Sequence, residues 1–130
     1  PGVDIAKKEF SIISGWLEGG GIDGYLLETM NNIPETESCL EVIKESNLPI
    51  WVSFNLKDSY YLQSGEMLKE AIKIISNFNV DCILLNCNPI NRTHEALKIL
   101  SDSYSKWGIY PNLGIGEPSL DGMISNYHSL

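Results

Sequence analysis

With 130 residues the chain has room for one domain with a real core, but falls short of a complete eight-stranded α/β barrel. Its 9 basic and 17 acidic residues give a net charge of -8, and no basic run exceeds Lys7-Lys8, which opposes binding to nucleic acid or to an anionic membrane surface. Hydrophobic residues at 43% and charged residues at 20% make an ordinary globular balance, and the three cysteines, odd in number and irregularly spaced, predict no disulfide framework and suit a reducing cytoplasm.

No stretch approaches the roughly 20 apolar residues of a membrane-spanning helix, and no basic segment followed by an apolar one opens the chain. Ala6, Phe10, Ile13, Trp16 and Leu17 recur at steps of three and four, predicting an amphipathic helix that stops at Gly19-Gly20-Gly21. Residues 24–30, GYLLETM, read as an apolar strand ending in Glu28 and Thr29. Pro34 fits the first helical position, Glu35 and Glu37 suit the first turn, and Leu40 and Ile43 face the sheet.

A second strand spans 49–56, PIWVSFNL, with Ser53 and Asn55 near its end, and a polar loop containing Tyr60 and Tyr61 follows. Met67, Leu68, Ala71, Ile72, Ile75 and Phe78 form the next helical stripe. The run 81–89, DCILLNCNP, keeps Ile83, Leu84 and Leu85 together, the pattern of a parallel strand covered on both faces. Its polar residues Asn86, Cys87 and Asn88 come last, before a proline that ends the ladder. Asn91 or Thr93 is the expected cap of a helix carrying Ala96, Leu97, Leu100 and Tyr104. The last strand, 107–114, leads to Gly114-Ile115-Gly116 and a tail, 117–130, without strong periodicity.

Strands alternating with helical stripes call for a parallel sheet with crossover helices. The fold class is therefore α/β: four parallel β/α units in a single domain, 1–130, either an open sheet or half of a (β/α)8 barrel. In both architectures ligand sites collect at the C-terminal ends of the strands, where this chain concentrates its polar residues.

Glu28-Thr29 closing one strand, Asn86-Cys87 closing another and Tyr110-Pro111-Asn112 with Gly114 closing a third resemble the homocysteine S-methyltransferase family. The likeness runs over about 3–116 in consistent order. It implies a (β/α)8 barrel of which this chain forms strands four to seven, and methyl transfer from a donor such as betaine, S-methylmethionine or a methylfolate to homocysteine, giving methionine. It further implies a zinc ion held by three cysteine thiolates, with Cys87 as the first; the metal takes up the homocysteine sulfur. Glu28 would accept hydrogen bonds from the substrate ammonium group, and Asn86 and Asn112 would line the mouth.

The family's other two zinc ligands are adjacent cysteines after a Gly-Gly pair, and none follow Asn112 here. Cys82 is five residues from Cys87, about 16 Å along one strand, and Cys39 falls in a helix. Zinc is therefore not expected to stay on this chain, and the chain alone is expected to be inactive.

On its own, a cysteine closing an apolar strand reads as a small buried hydrophobe, Glu28 as a loop acid and His94 as part of a solvated helix face; His128 lacks metal-ligand spacing to His94 or to any cysteine. Two alternatives stand beside the enzyme: a non-catalytic half-barrel that binds and oligomerises, and another barrel enzyme with an anion loop at 114–116. Leu26, Leu27, Trp51, Phe54, Ile83, Leu84 and Leu85 exceed what the helices alone are expected to cover, which predicts a homodimer.

Overall fold

The computed structural model describes residues 2–112 and 114. Helix α1 (Val3–Gly19) precedes strand β1 (Tyr25–Met30); α2 (Ile33–Ile43), β2 (Ile50–Phe54), α3 (Leu68–Ile75), β3 (Cys82–Pro89), α4 (Ile90–Ser103) and β4 (Trp107–Asn112) follow in strict alternation. The four strands form one sheet in the order β1-β2-β3-β4, every neighbouring pair parallel. This is the α/β architecture expected, the strand order of a barrel segment.

Side chains alternate across the sheet. Leu27, Val52, Phe54, Ile83 and Leu85 form a helix-facing layer and are buried with Leu40, Leu68, Ile72, Ile75, Ala96 and Leu100. The opposite face carries Leu26, Trp51 and Leu84 low on the strands and Glu28, Ser53 and Asn86 towards their C-terminal ends. Five of the seven apolar strand residues expected to lack cover are in fact buried within the chain: α2, α3 and α4 close the helix-facing layer, and Leu84 on the other face packs against Gly108 of β4. Only Leu26 and Trp51 remain about half-exposed, at 47% each.

Local chemistry explains the helix starts. Asn32 caps α2, its Oδ1 accepting from Glu35 N at 2.8 Å, so Ile33 rather than Pro34 opens the helix. Helix α4 begins directly at Ile90 behind Pro89, whose fixed φ permits a helical exit. The expected cap at Asn91 or Thr93 is therefore replaced: Thr93 lies buried inside the first turn and donates back to Pro89 O at 3.1 Å. No residue of α1 is buried, although Phe10 packs against the core; Trp16 stays 74% exposed. The polar segment after β2 folds back on itself, pairing Leu56 with Leu62 and Tyr61 with Met67, and both of those leucines are fully buried. Among the described residues no helix is long and apolar enough to cross a membrane.

Candidate functional site

Two irregularities shape the C-terminal edge of the sheet. On β1 the three steps from Leu27 to Met30 match only two on β2, Val52 to Phe54. On β3 the three steps from Asn86 to Pro89 match two on β4, Tyr110 to Asn112. Each is a β-bulge with one extra residue, and each contains a non-glycine residue in the left-handed region: Thr29 at φ 60° and Cys87 at φ 53°. The first bulge exposes Glu28 and Thr29 together and returns Met30 to the core; the second exposes Cys87 between buried Asn86 and Asn88.

Around these bulges lies a continuous polar network. Tyr110 on β4 donates its hydroxyl to Glu28 Oε1 at 3.2 Å. Ser53 on β2 donates to Asn86 Oδ1 at 2.5 Å, and Asn86 Nδ2 donates to Thr29 Oγ1 at 2.8 Å. Asn112 Nδ2 donates to the carbonyl of Cys87 at 2.9 Å, and Asn55 Nδ2 reaches the carbonyls of Asn86 and Cys87 at 3.3 and 3.4 Å. Burial raises the Tyr110 phenol above its ordinary value; a hydrogen bond with Ser53 opposes this and the Glu28 carboxylate adds to it, so the hydroxyl stays protonated as a donor.

The structure thus brings Glu28, Cys87 and Asn112 to one end of the sheet, with Glu28 and Cys87 exposed. Asn86 differs from a mouth-lining amide: it is 0% exposed, and both polar atoms of its side chain are bonded within the protein. His94 is on the exposed side of α4. His128 and positions 115 and 116 of the expected anion loop lie outside the described residues.

Residues that the sequence did not single out brace the rim. Gln63 Nε2 donates to Asn55 Oδ1 at 2.7 Å and to Leu56 O at 2.9 Å, and Arg92 Nη1 donates to the same carbonyl at 2.7 Å. Asn88 Oδ1 accepts from Leu56 N at 2.8 Å. The polar loop and the Asn-rich strand end were visible in the sequence, but nothing in their spacing links them.

A tetrahedral zinc site needs four donors. Cys39 is buried in α2 with its thiol pushed up to about 12, chiefly by burial. Cys82 opens β3, at the other end from Cys87, and burial raises its pKa as well. Among the described residues no group of three or more His, Cys, Asp or Glu side chains could hold a metal ion. Cys87 is one exposed thiol, and the described residues do not by themselves fit zinc.

The sequence profile of the homocysteine S-methyltransferase family matches residues 6–129. Homocysteine S-methyltransferase 2 of Zea mays is 34% identical over 102 residues, covering 75% of this chain and 30% of the relative. Homocysteine S-methyltransferase 2 of Arabidopsis thaliana is 33% identical over 103 residues, covering 75% and 31%. The chain thus spans about a third of the length of these relatives. The apo crystal structure of the homocysteine methyltransferase MmuM from Escherichia coli superposes with a TM-score of 0.79 at 24% identity, over 85% of this chain and 43% of that one. Its metallated form gives 0.74 at 26% identity, over 83% and 40%. A parallel β/α order, a polar network at the strand ends and a profile match over nearly the whole chain agree, and the chain belongs to the homocysteine S-methyltransferase family.

Proposed function

We propose that this chain supplies the amino-acid-binding and thiol-bearing part of a zinc-dependent enzyme that transfers a methyl group to the sulfur of homocysteine, giving methionine. The observation that carries the reading is the Glu28 carboxylate, exposed and held by Tyr110 at the same sheet end as the exposed Cys87. In this reading Glu28 accepts hydrogen bonds from the substrate ammonium group, a charge-assisted contact that selects an amino acid. Asn112 fixes the backbone of Cys87 at the mouth, and Asn86 supports both from beneath. Cys87 is one metal donor, and the remaining donors come from outside the described residues. The methyl donor binds to parts of the barrel beyond these four strands. The chain alone is inactive and homodimeric, and it works in the cytoplasm.

Calorimetric titration of the chain with L-homocysteine, and separately with inorganic phosphate, tests the reading. Homocysteine binding that is lost in Glu28→Gln supports it. Absence of homocysteine binding overturns it for this chain, and phosphate binding in its place favours the anion-loop enzyme. The lack of a three-ligand group among the described residues favours a second reading, a half-barrel that binds an amino acid without catalysis. Native mass spectrometry reads the metal directly: a zinc-bearing species favours the enzyme over the module, whereas a metal-free species that binds homocysteine agrees with both, because the enzyme reading takes its remaining zinc donors from outside the described residues.

A further inference from the structure

The hydrogen bond from Asn86 to Thr29 passes over a whole strand. Asn86 is on β3 and Thr29 on β1, 57 residues apart, with β2 between them. The amide is held from β2 as well, by Ser53 at 2.5 Å, so three adjacent strands meet on one fully buried side chain. A buried amide with both polar atoms partnered has a fixed orientation.

Each strand end that it joins has a backbone conformation its sequence disfavours. A β-branched threonine at φ 60° is a genuine outlier, and cysteine at φ 53° is uncommon. Such conformations persist where the surroundings over-determine them. Asn112 at the end of β4 and Asn55 just after β2 hold the Cys87 carbonyl from the two strands that flank β3, and Asn86, its immediate neighbour, ties the strand to β1.

We infer that Asn86 is a positioning residue that locks the β1 bulge to the β3 bulge through Thr29, and so fixes Glu28 and Cys87 relative to each other. Glu28 directly precedes Thr29, and Cys87 directly follows Asn86. A change at one bulge is therefore felt at the other, across β2. The catalytic value of this link rests on the homocysteine reading, but the link is tested without substrate, so either can fail alone.

The test uses Thr29→Val and Thr29→Ser in the full chain. Valine keeps the shape and β-branching of threonine and removes only the oxygen that Asn86 bonds; serine keeps the oxygen. The readouts are the amide–Hα coupling of Cys87 and its rate of alkylation by iodoacetamide. Thr29→Val is expected to change the coupling and to shift the alkylation rate roughly threefold, the scale of one lost hydrogen bond, while Thr29→Ser keeps wild-type values. An unchanged Cys87 in Thr29→Val overturns the inference whatever the change in melting temperature, as does Thr29→Ser perturbing Cys87 equally.

Discussion

The Tyr110 hydroxyl, on the last strand of the sheet, donates to Glu28 Oε1 on the first at 3.2 Å. In a flat sheet, three strand spacings separate β1 from β4 by about 14 Å, more than a tyrosine and a glutamate bridge comfortably. The strand ends must therefore converge on this face, as they do when a sheet curls towards a barrel. Tyr110→Phe removes the bond while keeping the ring. We expect a stability loss of about 1 kcal/mol or less, because the bond is exposed, and a several-fold weaker affinity for homocysteine. Chemical denaturation and calorimetry on the same variant check the two effects.

Glu28→Gln keeps the size of the side chain and removes its charge. Among the described residues the exposed carboxylate accepts a side-chain hydrogen bond from the Tyr110 hydroxyl alone, so the fold should tolerate the change. Homocysteine affinity should fall roughly tenfold or more, the scale of a hydrogen bond to a charged group. Equal affinity in wild type and variant would remove Glu28 from the ammonium site.

Burial in α2 pushes the Cys39 thiol up to about 12, with Glu35 adding to the effect. In the unfolded chain the same thiol titrates near 8.5. The folded state holds the proton more tightly, so this contribution to stability is complete below about pH 8.5 and is lost as pH rises towards 12. Cys39→Ala lacks it. The stability difference between wild type and variant should therefore move in favour of the variant above pH 8.5, measured by denaturant unfolding at each pH. Thiol labelling gives a companion result: Cys87 reacts first in the native chain, and Cys39 reacts only on unfolding.

Asn32 caps α2 reciprocally with Glu35, accepting from its backbone N–H at 2.8 Å and donating to its carboxylate at 3.0 Å. Asn32→Ala should cost about 1 kcal/mol. Thermal unfolding should show a fall in midpoint of several degrees, with Asn32→Ser, which keeps an oxygen to accept from the Glu35 N–H and adds no charge beside its carboxylate, closer to wild type.

Leu26 and Trp51 are cross-strand partners, and both are 47% exposed on the face opposite the helices. If the proposed homodimer closes over this face, Leu26→Glu combined with Trp51→Glu should weaken association by more than tenfold. Sedimentation velocity across a dilution series checks this, and a wild-type chain that is monomeric throughout removes the dimer.

The sequence determined the alternation of strands and helices, because each stripe buries one face and glycine or proline punctuates the joins. It also placed polar residues at the strand ends, since an apolar run closing in Asn86-Cys87-Asn88-Pro89 cannot continue the ladder. The resemblance to the methyltransferase family was legible for the same reason: its residues close successive strands in order. Tertiary structure alone decided which of those residues face outward. Two bulges, invisible to a period-two pattern, expose Glu28 with Thr29 and bury Asn86, and the curl of the sheet brings Tyr110 to Glu28 from the far strand. Those outcomes depend on hydrogen bonds between residues dozens of positions apart, and no local propensity encodes them.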